Sequence, residues 1–528
     1  MRDAYQVAKV RAAEAKLMAL VTEGALMQRA AAGLASVAAT LLRQEPGHLY
    51  GSRVVLLVGT GDNGGDALYA GERLARRGAA VTAIQAGPRM HPGGAAALRA
   101  AGGRFVAVAA PRGPDDTRPA DTRPAATRPD ARARYDAGRD ARHAIGHADL
   151  IIDGLLGIGG KGGLREPFAT LAQLAANSAG TTLAVDLPSG IDADTGEVDG
   201  PAVRADVTVT FGALKPGLLV DPGSGHAGVV ELVDIGLGPY LEAPPEASAP
   251  QAADIANLLP RPTAESDKYR RGVLGLVAGS DEYTGAAVLS CGGAIHGGAG
   301  MVRFVSADVA VSVVRQHWPE AVLTTYDPAR PGDAVITAGR VQAWTAGPGI
   351  GTGPEAVAIL TAVLASDVPV LVDADGLTVL AANKDLLKRA VPVLITPHAG
   401  ELARLLSADR ADIEARRLHY VRAAAAQLGI TVLLKGSTTV IAGPDASQPV
   451  LVNSTGTSWL ATAGSGDVLS GLAGSLLAQG LDPAHAAAAG AYLHGMAGRL
   501  AARGAPIGAA DLLAAIPAAI RVVTAGDS

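Results

Sequence analysis

Two α/β domains in tandem, each a largely parallel sheet covered by helices on both faces, is the fold this sequence predicts. Three observations predict it. Short apolar runs alternate with Ala-rich helical stretches after residue 45, the same alternation restarts at residue 272, and "GPYLEAPPEASAPQAADIA", rich in Pro and Ala, separates the two series. Parallel strands need a long crossover, usually a helix, so this alternation selects a parallel sheet. A chain of 528 residues is also too long for one ordinary core. The expected division is a domain over 1–240, a linker over 241–262 and a second domain over 263–528.

The composition suits such a pair of cores. Hydrophobic residues make up 48% and charged residues 18%, while aromatics at 3% leave the packing to Ala, Val, Leu and Ile. The 45 basic and 50 acidic residues give a net charge of -5, and no basic stripe marks a nucleic-acid surface. Cys291 is the one cysteine, which excludes a disulfide framework and a cysteine metal cluster. The opening "MRDAYQVAKVRAAEAKLMALV" scatters charge through its apolar positions, unlike a secretory leader. No apolar run of membrane-spanning length lacks Gly, Pro or charge. A cytoplasmic protein with small-molecule substrates, and with neither membrane nor nucleic-acid partners, is expected.

Taken in order, residues 1–45 read as an amphipathic helix with Leu17, Leu20, Val21 and Leu34 on one face. Strands follow at "VVLLVG", "AAVTAIQAG", "LIIDGLLG", "TTLAVDLPSG" and "ADVTVTFG", and the sheet closes near "VVELVDIGL" (229–237). Residues 111–142 interrupt this series with a T-R-P-[AD] repeat starting at Thr117, Thr122 and Thr127. Mixed charge, recurrent Pro and few apolar groups do not offset the entropy of ordering, so a disordered insertion is expected there. The second series runs through "GVLGLVAGS" (272–280), "AWTAGPGIGTG", "VPVLVDADGL", "PVLITPHAGE", "TVLLKGSTTVIAG" and "ATAGSGDVLSGLAGSLL".

The stretch "VLLVGTGDNGGDAL" (55–68) carries Gly59, Gly61 and Gly64 at the G-x-G-x-x-G spacing of a dinucleotide-binding turn. A site for an intact dinucleotide also needs an acid at the end of the second strand to hold the ribose. Here that strand ends in Gln85, Ala86 and Gly87, and Asp62 and Asp66 put negative charge into the loop itself. A tight Gly-rich turn without a ligand is the lesser alternative for the loop taken alone. Later strand ends bring "DGLLGIGGKGG" (153–163) and "DLPSGIDADTG" (186–196). The carboxyl ends of parallel strands line one crevice, where Asp62, Asn63, Asp66, Asp153, Asp186 and Ser189 are expected to converge. Such hard oxygen ligands suit an alkali or alkaline-earth cation, and a carboxylate left over can serve as a general base.

Together with "TFGALKPGL" (210–218), these motifs resemble the NAD(P)H-hydrate epimerase domain over most of residues 1–238. The resemblance implies a Rossmann-like fold, interconversion of the R and S epimers of hydrated NADH and NADPH, and a bound potassium ion. By position, it implies that Asp62, Asn63, Gly64, Gly65 and Asp66 cradle the substrate. Gly157, Ile158, Gly159, Gly160, Lys161, Gly162 and Gly163 would form a second substrate loop. Asp186 would lie beside the reacting ring as the catalytic carboxylate, and Asn63, Asp153 and Ser189 would hold the potassium. Asp62 departs from the commoner Asn at its position, and the Thr-Arg-Pro insertion is foreign to the pattern.

In the second series, "ATAGSGDVLSGLAGSLL" runs a Gly-rich turn into an apolar helix. Backbone N–H groups at such a start bind phosphate and stabilise a transferring phosphoryl group. Asp467 is placed there to take a proton from an attacking hydroxyl, although Gly-Asp is also an ordinary turn and cap. "GPGIGTG" (347–353) lets backbone approach a ligand, and "KGSTT" (435–439) puts a cation and hydroxyls beyond a strand. "TPHAGE" (396–401) offers His398, read as a ligand contact because it follows a strand end, and Glu401, read equally as a direct catalyst and as a helix-start acid facing the dipole.

With "DKYRRGVLGLVAGSDEYTGAAVLS" and "VDADGL", these motifs jointly resemble the NAD(P)H-hydrate dehydratase domain, of the ribokinase-like group, over roughly residues 265–520. The resemblance implies that Ala286, Gly349, His398 and Asp467 contact the hydrate. It implies that Lys435, Gly436, Ser437, Thr438, Thr439 and Gly466 contact ADP or ATP, with magnesium on the phosphates and ADP the donor in bacterial relatives. "NSTGTSWLATAGSGD" departs from the family, which carries Asn-Pro ahead of the turn and Thr where this chain has Ser465. Two other functions remain open at this stage. A small-molecule kinase would release a stable phosphorylated product, and a non-catalytic nucleotide sensor would bind without turnover. A homo-oligomer is expected, with the N-terminal helix as a candidate contact.

Overall fold

The computed structural model describes residues 1–108 and 131–525. The chain divides into two compact units, one of Ala4–Pro245 and one of Met1–Asp3 with Glu246–Ser528. In the first, seven parallel strands lie in the order Arg104–Ala107, Ala80–Gln85, Arg53–Val58, Leu150–Gly154, Thr181–Val185, Val207–Phe211, Val229–Val233. Alternate side chains of a strand face opposite ways, and the two faces are packed separately. Val54, Leu56 and Val58 join a core with the helices Val7–Met18, Ala25–Gln44 and Asp62–Arg76, whereas Val55 and Leu57 join another with Ala131–Gly146 and Phe168–Ala176. Burial on both sides is why these strands read as continuous apolar runs.

Three expectations change here. Residues 1–45 form a short strand, Arg2–Ala4, and two helices, because Gly24, at φ 78°, takes a left-handed conformation ahead of the second helix. Leu17 and Leu34 are buried, while Leu20 is 70% exposed. Helix Ala25–Gln44 is long and apolar enough to cross a membrane by length and composition, but Ala31, Leu34, Ala38 and Leu42 are buried in the core. Of the insertion expected at 111–142, residues 111–130 lie outside the described residues. The remainder begins helix Ala131–Gly146, whose Ala141 and Ile145, one turn apart, are buried against the sheet.

The second unit holds an eleven-stranded sheet in the order Arg2–Ala4, Ala247–Ala249, Val450–Asn453, Thr439–Ala442, Thr431–Leu434, Val393–Ile395, Val370–Val372, Ala343–Ala346, Val273–Val277, Met301–Ser306, Val322–Thr325. Thr439–Ala442 runs antiparallel to both neighbours. The segment 241–262, expected to be a linker, contributes strand Ala247–Ala249 and helix Ala252–Leu258 to this unit. Buried Ala247, Ala249 and Ile255 and a capping box between Gln251 and Asp254 hold it in place. The chain's first residues close the same edge: Ser248 donates to Asp3 at 2.7 Å and the terminal ammonium pairs with Asp254 at 2.8 Å. Helices Thr284–His296 and Ser465–Ala478 pack through glycines, since a Cβ at Gly293 would lie 2.4 Å from the carbonyl of Val468 and one at Gly471 only 1.9 Å from that of Ser290.

Candidate active sites

In the first unit, the Gly-rich turn after strand Arg53–Val58 feeds helix Asp62–Arg76, which begins at Asp62. Close packing explains two of the glycines: a Cβ at Gly59 would lie 1.8 Å from the carbonyl oxygen of Leu155, and one at Gly157 would lie 2.5 Å from Asn63 Oδ1. Asn63 is buried and its Nδ2 donates to the carbonyls of Val185 (2.5 Å) and Leu156 (3.2 Å), tying this turn to two further strand ends. Asp153 is fully buried at the end of strand Leu150–Gly154. It accepts from Ser189 N–H and Oγ, both at 2.8 Å, and from Leu155 N–H at 3.2 Å. Burial outweighs those three bonds and pushes its carboxyl up to about 6. Asn63, Asp153 and Ser189 thus meet around the backbone of Leu156, whose N–H donates to Ser189 Oγ at 2.9 Å. Buried oxygens from a carboxylate, an amide, a hydroxyl and carbonyls make a hard donor set that fits an alkali cation.

Asp186 follows strand Thr181–Val185 with φ 67°, a left-handed conformation that costs a non-glycine residue energy and clusters at functional sites. That turn aims its carboxylate at Lys215 Nζ, 2.5 Å away, in a pair whose side chains are 8% and 1% exposed. Thr210 Oγ1 and Phe211 N–H also donate to Asp186, at 3.0 and 3.2 Å, and Lys215 donates to Thr210 Oγ1 at 2.9 Å. Asp66, from the first turn, is buried, and among the described residues its Oδ1 has no hydrogen-bond partner. Burial, then the charges of Asp186, Asp62 and Glu14, hold its carboxyl well above the usual range.

In the second unit, Gly464 (φ 85°) precedes helix Ser465–Ala478, so Gly466 and Asp467 lie in its first turn. Burial, with the charge of Asp373 adding to it and Lys435 opposing it, pushes Asp467 up to about 6. Lys435 Nζ is 2.7 Å from Asp373 Oδ1 and 3.7 Å from Glu401 Oε2. Burial disfavours its ammonium, but those carboxylates outweigh burial and raise it. Ser470 Oγ donates to the other Asp373 oxygen at 2.5 Å. Ala374, between Asp373 and Asp375, sits at φ 51°, and Asp375 accepts from Gly351 N–H at 2.9 Å. A cavity of about 640 Å³ opens beside this network, lined among others by Lys435, Gly436, Ser437, Thr439, Ser465 and Gly466.

Comparison with known proteins agrees in both halves. Residues 23–217 match the family model described as YjeF-related protein N-terminus, and residues 274–518 match that described as NAD(P)H-hydrate dehydratase. A Mycobacterium leprae protein named bifunctional NAD(P)H-hydrate repair enzyme Nnr is 45% identical over 92% of this chain and 91% of its own. The chain belongs to the bifunctional NAD(P)H-hydrate repair enzymes. A Corynebacterium glutamicum member with the same name is 34% identical over 91% of this chain and 88% of its own. An ADP/ATP-dependent NAD(P)H-hydrate dehydratase from Bacillus subtilis, co-crystallised with ATP and Mg2+, covers 52% of this chain and 97% of its own at 30% identity and a TM-score of 0.47.

Within this family frame, the sequence-predicted residues fall into place unevenly. Asn63, Asp153 and Ser189 meet, and the acids Asp62, Asp66 and Asp186 come together; the loop Gly157–Gly163 is more exposed, with a Cβ at Gly159 falling 3.0 Å from Arg11 Nη2. Ala286 and Gly349 adjoin, since a Cβ on Gly349 would lie 2.9 Å from that of Ala286. His398 lines the cavity that Lys435, Gly436, Ser437, Thr439 and Gly466 also line and caps helix Ala399–Leu406, its Nδ1 accepting from Gly400 and Glu401 N–H while Glu401 accepts from His398 N–H at 2.7 Å. Glu401 thus sits at the helix start, with Oε2 also 3.7 Å from Lys435 Nζ. Thr438 is buried and does not line that cavity.

Four residues escaped the sequence reading. Lys215 stood unassigned in "TFGALKPGL", where a crevice rich in acids called for a cation. Asp373 stood unassigned in "VDADGL". Arg417 is buried, and its Nη2 donates to the carbonyls of Leu434, Lys435 and Thr438 at 3.0–3.1 Å, so a guanidinium holds the "KGSTT" loop from beneath. His494 donates from Nε2 to Ser465 O at 2.9 Å, and burial lowers it to about 4, keeping it neutral beside the Gly-rich turn.

Proposed function

We propose that this chain repairs hydrated NADH and NADPH, with epimerisation in the first unit and nucleotide-dependent dehydration in the second. The observation that carries the reading is a buried or half-buried carboxylate at the carboxyl end of each sheet, Asp186 held by Lys215 and Asp467 at the Gly-rich helix start, in a chain whose full-length relatives bear the repair name.

Hydration of the reduced ring adds a hydroxyl, a poor leaving group. In the second unit Asp467 takes the proton of that hydroxyl as it attacks the terminal phosphoryl of ADP or ATP. N–H groups of the Gly464–Gly466 turn stabilise the transferring group. Loss of phosphate and a ring proton then restores the double bond. Lys435 and the "KGSTT" loop bind the nucleotide, and Ala286, Gly349 and His398 position the hydrate. Magnesium, when bound, neutralises charge on the nucleotide phosphates. In the first unit Asn63, Asp153 and Ser189 would hold potassium, which supplies a fixed positive charge beside the substrate loop Asp62–Asp66. The dehydratase accepts one epimer, and the epimerase feeds it the other.

The test follows near-ultraviolet absorbance of mixed NADPH-hydrate epimers after adding protein, magnesium, potassium and either ADP or ATP. Complete, nucleotide-dependent recovery of NADPH is expected, and the faster nucleotide identifies the donor. Recovery that stalls after one epimer would remove the first unit's role, and a stable phosphorylated product would replace repair with a kinase.

A further inference from the structure

The acids of the first unit outnumber what an ion site and one general base require. Asp66 is 6% exposed, and its Oδ1 finds no hydrogen-bond partner among the described residues. The charged groups that act on it are Asp186, Asp62 and Glu14, all acidic. Glu14, on helix Val7–Met18, feels Lys215, Asp186, Arg11 and Asp62, so that helix contributes a fourth carboxyl group to the same crevice. Lys215 is already bound to Asp186. A reacting ring that stayed neutral throughout would give no reason for so negative a pocket.

The chemistry of the hydrate supplies one. Water adds to the reduced ring across an enamine, so the hydroxyl joins the carbon bonded to the ring nitrogen, and the epimers differ at that carbon. Two routes invert it. Breaking the carbon–nitrogen bond opens the ring to a neutral aldehyde and begins by drawing a proton off the hydroxyl, building negative charge on oxygen. Breaking the carbon–oxygen bond expels water and leaves a ring iminium cation. Preorganised carboxylates in a water-poor site oppose the first charge and stabilise the second.

Resting on the epimerase reading, we propose that the first unit works through the iminium, with Asp66 and Asp186 as its acid and base. Asp66 gives its proton to the departing hydroxyl, the carbon–oxygen bond breaks, and the nitrogen lone pair forms the carbon–nitrogen double bond. Water adds to the other face of the ring, and its proton passes to Asp186. The reverse reaction exchanges the two roles, and exchange with solvent resets both groups between turnovers. Environments that drive two carboxyl groups apart make one an acid and the other a base. Here burial and acidic neighbours favour the protonated form of Asp66, on which no cation among the described residues acts, whereas the Asp186 carboxyl group accepts from Lys215 Nζ and two further donors.

The experiment incubates one purified hydrate epimer with the full chain and potassium in H2(18)O, without nucleotide so that dehydration is idle. Mass spectrometry follows the label while chromatography follows the epimers. One 18O atom per molecule, entering the new epimer at the rate it forms, is the expected result. Interconversion with the original oxygen retained would overturn the iminium route while leaving the epimerase reading intact. No interconversion at all would sink that reading and this inference with it. Asp66→Asn keeps the shape but not the proton, and slows epimerisation by about 10²-fold or more, with dehydration of the S epimer by the same chain as the control for folding. Epimerisation by that variant at the wild-type rate would remove Asp66 from the mechanism.

Discussion

Replacing Lys215 by Met isolates the buried pair on which the first site depends. The ammonium is 1% exposed, lies 2.5 Å from Asp186, and also donates to Thr210 Oγ1. Met matches its length without its charge, so Asp186 keeps only the Thr210 and Phe211 donors. Removing one partner of a buried ion pair costs about 3–5 kcal/mol, because the remaining charge is left uncompensated. At a slope of about 3 kcal/mol per molar urea, that moves the unfolding midpoint of the first unit down by roughly 1–1.7 M. Two probes separate the units. The chain's three tryptophans, Trp318, Trp344 and Trp459, all lie in the second unit, so their fluorescence follows that unit alone, whereas far-ultraviolet circular dichroism follows both. The expected result is an early circular-dichroism transition in Lys215→Met with the fluorescence transition unmoved, epimerisation lost and dehydration retained. Adding Asp186→Leu removes the stranded charge and recovers most of the stability but none of the activity. A single variant as stable as the parent would refute the reasoning.

The second site yields three further expectations. Asp467 acts in its ionised form, so its raised carboxyl makes the dehydration rate climb with pH through about 6 and level off above it; a profile already flat at pH 5 would remove it as the base, and Asp467→Asn abolishes dehydration while sparing epimerisation. His494, lowered by burial to about 4, adds stability that is complete above its unfolded value near 6.5 and lost as pH falls toward 4. Tryptophan-monitored urea midpoints therefore drop between pH 7 and 5, and His494→Gln flattens that drop. Arg417→Met leaves all three loop carbonyls without their guanidinium donor, so KM for the nucleotide rises about tenfold or more while kcat at saturation holds within about twofold. An unchanged KM would show that the loop needs no such support.

Much of this architecture was legible before any coordinates because a parallel sheet imposes strong rules. Continuous apolar runs located its central strands, and the convergence of strand ends predicted that Asp62, Asp66, Asp153 and Asp186 would share a crevice. Strands Met301–Ser306, Val322–Thr325 and Val450–Asn453 were passed over. Ala247–Ala249 was read as linker because three small residues carry no periodic signal; its pairing with Val450–Asn453 is purely tertiary. The positioning residues were hidden for a related reason. Lys215 reaches Asp186 across 29 positions through a left-handed backbone that local sequence does not advertise. Arg417 and His494 stand on helices, where a charged or polar residue usually means a solvated face. Only the folded chain shows that each turns inward to hold a loop carbonyl.

The edge strand at the chain's start also sets an order of events during synthesis. Met1–Asp3 belong to the second unit, although the residues immediately after them build the first. Their neighbour Ala247–Ala249 is made some 240 residues later, a delay of about 12–50 s at ribosomal speed. Through that interval the first unit can condense while its own leading residues wait without a partner. A gene divided after residue 245 would hand that strand to the wrong fragment, so the second unit made alone would carry an unpaired edge at Ala247–Ala249, the kind of edge along which sheets aggregate.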